Sequence, residues 1–129
     1  YGRCAIVFFA GASTAGSDPT ITLNQATDVS GDGSKPLTFT RGDYKEAAAG
    51  QFTTVIQAAA NTFTVAGSAV PTKIFVVDIK AEDLDVNNNY DCVQASVADA
   101  GAAAQLGCLL YFLHEPREAS VTLPSAIVN

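Results

Sequence analysis

The sequence predicts an all-β domain: a two-sheet antiparallel sandwich of about eight short strands in a jelly-roll-like order. Three observations point there. Short runs of β-branched and aromatic residues recur along the chain, clusters of Gly, Asp, Asn, Ser and Pro separate them, and several runs alternate polar and apolar residues with period two. The chain has 129 residues, 48% of them hydrophobic, enough to fill one core without a second domain. The reading assigns residues 1–117 to the sandwich and 118–129 to a C-terminal arm.

Residues 1–10 open the fold. Ile6 and Phe8 fall on one face of an extended chain and Val7 and Phe9 on the other, so the pattern predicts a strand buried on both sides, ended by the small residues 11–16. Residues 20–25 alternate as a strand with one wet face does, residues 28–35 form a Gly/Asp/Ser loop, and residues 37–40 resume the alternation. Residues 41–50 read as a strand edge or a single helical turn, because Tyr44-Lys45-Glu46-Ala47-Ala48-Ala49 favours helix but is too short to nucleate one. Short strands follow at 52–57 and 62–65, flanking residues 58–61, with a loop at 67–71.

Residues 73–80 carry Ile74, Phe75, Val76, Val77 and Ile79, the composition of a central strand. The polar excursion after it ends in Asn87-Asn88-Asn89, residues that tolerate the left-handed backbone of a tight turn. The last strands lie at 90–97 and 107–114, joined by small residues at 99–104. Val121, Leu123, Ile127 and Val128 make the terminal arm apolar, which implies docking on the parent domain or on a neighbour, and they are the candidate interface residues.

Composition narrows the function. Charged residues make up 16% of the chain, below the roughly 25% usual in globular domains, so much of the surface is Thr, Ser, Asn, Gln and Ala. Neutral polar side chains lose less on leaving water than Lys or Glu do, which suits faces that end up against protein. The net charge of -6 and the scattered Lys and Arg leave no basic stripe for phosphates and repel anionic lipid, so neither nucleic acid nor membrane is an expected partner. Apolar stretches such as 106–113 are far too short for a bilayer-spanning helix, and no signal-peptide pattern is seen. The chain begins at Tyr1 and runs straight into a strand, as expected if further sequence precedes it. Cys4, Cys92 and Cys108, odd in number and each in an apolar run, read as reduced core thiols.

Motifs for catalysis are sparse, and a non-enzymatic structural or binding module is expected. His114, the only histidine, sits beside Glu115 at a strand end. A catalytic group with Ser120 can be drawn, but the sequence has no nucleophile elbow, and a local hydrogen bond is the simpler role. Asp83, Asp85 and Asn87 alternate as calcium ligands do. The EF-hand pattern nevertheless breaks at Asn88, where Gly belongs, and at Gln94, where a bidentate Glu belongs. The competing role is a loop whose side chains cap their own backbone. No cofactor is expected. Arg41-Gly42-Asp43 spells an adhesion tripeptide but is equally ordinary turn chemistry, and Tyr44 and Tyr90 are the aromatics in polar, loop-like surroundings.

Residues 75–86, Tyr90-Asp91-Cys92-Val93 and residues 103–108, with 24–29 and 124–128, resemble small virion proteins of tailed bacteriophages. The resemblance implies a structural protein of the particle, best matched by a capsid decoration or cement protein. Such a protein would self-associate as a homotrimer, bind the major capsid protein at the virion surface and be assembled in the host cytoplasm. The alternative it leaves open is a tail or spike module that recognises a receptor or glycan.

Overall fold

Extended segments that alternate in burial pair into two antiparallel sheets. In the computed structural model the described residues are 1–12, 18–47, 49–64, 72–98 and 105–116. They form strands β1 (Arg3–Ala10), β2 (Thr20–Ala26), β3 (Lys35–Pro36), β4 (Phe39–Glu46), β5 (Thr53–Ala60), β6 (Thr62–Thr64), β7 (Lys73–Lys80), β8 (Cys92–Val97) and β9 (Gly107–His114). One sheet has five strands in the order β5-β4-β7-β1-β9. In the other, β2 pairs with β3 and β6 along one edge and with β8 along the other. The two-sheet antiparallel sandwich expected from the sequence is the architecture that forms.

The core lies between the sheets. Ile6 and Phe8 of β1 and Phe75, Val77 and Ile79 of β7 meet Ile21 and Leu23 of β2, with Leu37 and Phe39 closing one side. The rings of Phe63 and Phe75 stack across the gap with centroids 4.6 Å apart, fastening β6 to β7. Gly42 is buried on β4 because a Cβ there would lie 2.6 Å from the Phe75 ring.

Several sequence-level expectations change. β1 is covered on one face only: Ile6 and Phe8 are buried, whereas Val7 is half-buried and Phe9 is 40% exposed. Its second apolar row faces outward because both sheets have already spent one face on the shared core. Residues 41–46 belong neither to a helical turn nor to a sheet edge, because β4 runs through to Glu46 between β5 and β7. Pairing on both sides outweighs helix propensity here. Ala58 to Ala60 belong to β5 rather than to a break between strands.

Of the cysteines, Cys4 is buried, Cys92 is half-buried and Cys108 is exposed, so Cys108 is not a core residue; all are free thiols. Val65, the loop at 67–71, residues 99–104 and the arm at 118–129 lie outside the described residues.

Candidate protein-contact surface

Directly opposed residues in an antiparallel pair share a face, so the register gives the outer surface of the five-stranded sheet row by row. Cys108, Phe9 and Ile74 form one row and Leu110, Val7 and Val76 the next. A third row begins with Phe112 and Ala5 and ends in Asp78. Leu110 is 47% and Phe112 54% exposed, and Val7, Ile74 and Val76 are half-buried. Three adjacent strands thus present a continuous apolar face to solvent. A strand is normally apolar at every position only when both of its faces are covered.

Charge borders this face and is largely paired within the chain. At the end nearest Arg3, the guanidinium binds the Asp78 carboxylate and lies 3.9 Å from Glu115. His114 Nε2 is 3.2 Å from the other oxygen of Asp78. Hydrogen bonding to Asp78 raises the Arg3 pKa above its ordinary value. Lys80 binds Glu82 at 2.9 Å, and Arg41 lies 3.6 Å from Asp43, which also accepts a hydrogen bond from the Thr54 hydroxyl. Covering the apolar rows would bury few charges that lack a partner, a favourable condition for a protein contact.

The acidic loop after β7 is fastened to the fold. It comprises two single 3-10 turns, Ala81–Asp83 and Val86–Asn88, and closes on Asn89 at φ 64°, the left-handed residue that the Asn run predicts. The Asp83 carboxylate accepts the Lys80 backbone N–H at 2.9 Å. Asp85 is bound by the Lys35 ammonium and by Asn88 Nδ2, and its backbone N–H donates to Gln25 Oε1 at 2.8 Å. The Lys35 ammonium also sits 4.0 Å above the Tyr90 ring. Hydrogen bonding to Lys35, then to Asn88, holds the Asp85 carboxyl below the usual carboxylate range. Asn87 is exposed. The Asp83 and Asp85 carboxylates are thus both engaged in shaping the loop.

The remaining candidates are dispersed. Arg41-Gly42-Asp43 lies inside β4 rather than at a turn, with Gly42 buried. Tyr44 packs against the core. His114 lies 3.2 Å from Asp78 on β7, a contact across the sheet rather than the local bond expected of it, and Ser120, its drawn catalytic companion, lies outside the described residues. Val121, Leu123, Ile127 and Val128 lie outside them too. The outer-face rows were present in the sequence as the second apolar parity of residues 1–10 and 73–80, and only the sheet stacking shows that they stay open.

No family model, curated protein or solved structure matches this chain.

Proposed function

We propose that this chain is a structural subunit that works by packing its outer sheet face against other protein, and that it serves in the particle of a tailed bacteriophage as a capsid decoration or cement protein. The observation that carries the reading is the apolar surface of β9, β1 and β7, centred on Val7, Val76 and Leu110 and bordered by charges paired within the chain. The low charged fraction of 16% and the resemblance of residues 75–86 to virion proteins support it.

In this reading the major capsid protein is the partner, and the location is the outer surface of the shell. The contribution is mechanical: many weak apolar contacts spread over neighbouring capsid subunits resist outward pressure, and no bond is made or broken. Repetition over a symmetric lattice turns weak individual contacts into firm attachment. The function needs neither a cofactor nor a catalytic group.

The test is cosedimentation of the purified chain with expanded shells of the corresponding phage that lack it. The wild-type chain should bind to saturation, and Ile74→Lys, which places a charge within the apolar face, should abolish binding without unfolding the domain. Equal binding by Ile74→Lys removes the face from the contact. Absence of wild-type binding to shells, with binding to tails or to a glycan, overturns the shell assignment in favour of a recognition module.

A further inference from the structure

Among the described residues one side of the sandwich is left open. β8 and β9 end the two sheets there, and a hydrogen bond of 2.8 Å from the Ala95 backbone N–H to Tyr111 Oη joins them. That N–H points away from the sheet: Ala95 is paired with Leu23, whose own N–H and C=O are directed to Asn61 and Leu37 on the opposite side of β2. Three clefts follow the seam, of about 310, 390 and 490 Å³, the two larger both lined by Val93 and Tyr111. Among the described residues β9 pairs only with β1 and β8 only with β2.

Among the described residues these two edges are unguarded. Residues 92–97 and 105–113 contain no charged side chain and no Pro, in a chain that is 16% charged overall. Leu110, Tyr111, Phe112 and Leu113 are all exposed, so β9 is apolar on both faces. Edge strands are normally protected by Lys, Pro, a bulge or a covering element, because a bare row of N–H and C=O groups recruits another strand.

We propose that a second copy of this chain occupies this edge, its β9 running antiparallel to the first about a two-fold axis through Leu110 and joining two five-stranded sheets into one of ten strands. An antiparallel strand paired with itself makes an isologous, closed contact. The register sets Leu110 against the partner's Leu110, Leu109 against the partner's Tyr111 and Cys108 against the partner's Phe112, apolar against apolar throughout. Eight residues at about 3.4 Å each, over a two-layer wall about 20 Å thick, present about 550 Å² per partner. The total of about 1,100 Å² clears the roughly 1,000 Å² expected of a biological interface and lies at its small, weakly associating end. The proposal rests on reading the chain as a structural subunit that works by protein contact, but not on where that subunit is used. It gives a two-fold pair where the resemblance implies a trimer, and it leaves Ile74 and Val76 free to meet another protein.

The test uses the full chain. Opposed residues on the axis stand about 4.5–5.5 Å apart between Cα atoms, within disulfide reach, whereas two Cys108 residues would be about 14 Å apart. Leu110→Cys should therefore give a covalent dimer under mild oxidation, and the wild-type chain, which carries Cys108, should not. Sedimentation of the wild type at high micromolar concentration should give twice the chain mass. Leu110→Lys, which opposes like charges on the axis, should weaken association by about tenfold or more with an unchanged circular dichroism spectrum.

Hydrogen exchange on the unsubstituted chain gives a check independent of any variant: the β9 amides that point away from β1 should gain protection as concentration rises. A monomeric or trimeric wild type, cross-linking through Cys108, an uncross-linked Leu110→Cys, or β9 exchange that does not depend on concentration overturns the two-fold pairing. None of these readouts involves shells, so failure here and failure of the shell assignment are told apart.

Discussion

Gly42 on β4 lies under the ring of Phe75 on β7 so closely that a Cβ at position 42 would stand 2.6 Å from it. The same ring stacks on Phe63 from the other sheet. Phe75 is thus gripped from both layers and cannot retreat from an added methyl group. Gly42→Ala should destabilise the domain by about 1–3 kcal/mol through overpacking, read as a lowered denaturation midpoint with unchanged slope. An unchanged midpoint would mean that the ring has room to move.

Val76 and Val77 are neighbours on β7 with opposite surroundings: Val77 is 2% exposed in the core, and Val76 is half-buried on the outer face. Val77→Thr should cost about 1–3 kcal/mol, because the new hydroxyl is buried without a designed partner. Val76→Thr should stay within about 0.5 kcal/mol. Urea titration of both variants checks this, and equal losses would show that the outer face is covered in the isolated protein.

Acid should loosen the loops before it unfolds the core. Asp85 is held below the usual carboxylate range by hydrogen bonds from Lys35 and Asn88, and Asp28 by the Ser30 hydroxyl and then the Asp32 backbone N–H. A depressed folded-state pKa stabilises the fold above the ordinary Asp value of about 3.9 and loses that contribution as the pH falls through the lower folded value. Thermal midpoints should therefore be insensitive to these groups near neutrality and decline below about pH 4, with a shallower decline for Asp85→Asn.

Calcium should leave the melting temperature unchanged. An ion at Asp83 and Asp85 would have to displace Lys35 from one carboxylate and the Lys80 N–H from the other. A calcium-dependent rise in melting temperature, absent from Asp85→Asn, would show that the loop rearranges into a binding site.

The three thiols should react in sequence. Cys108 is exposed and should be modified first, Cys92 is half-buried and slower, and Cys4 should wait for unfolding. Burial pushes the Cys4 thiol pKa up, with the Asp78 charge adding to it; burial and then Asp91 do the same at Cys92. Timed reaction with a disulfide reagent, followed by peptide mapping, gives the order.

Much of the fold was legible because strand burial has a period of two. Ile21 and Leu23 alternate with Thr20, Thr22 and Asn24, and β2 forms where that pattern lies. The Asn89 turn was equally legible, since few residues other than Gly and Asn accept its left-handed backbone. Residues 41–46 were not, because their helix propensity is local and the pairing that overrides it comes from β5 and β7, distant in sequence. The contact face was half legible: both apolar parities of β1 are written in the sequence, but which of them is covered is not.

The sequence by itself determined the class of fold, the turn at Asn89 and the scarcity of charge, since each depends on residues close together along the chain. Only the tertiary structure decided that Val7, Val76 and Leu110 share one face, that Lys35 clasps Asp85 fifty residues away, and that among the described residues β8 and β9 end their sheets. Those relationships depend on which strands become neighbours, and strand order is set by how two sheets bury a common core, a condition no local pattern encodes.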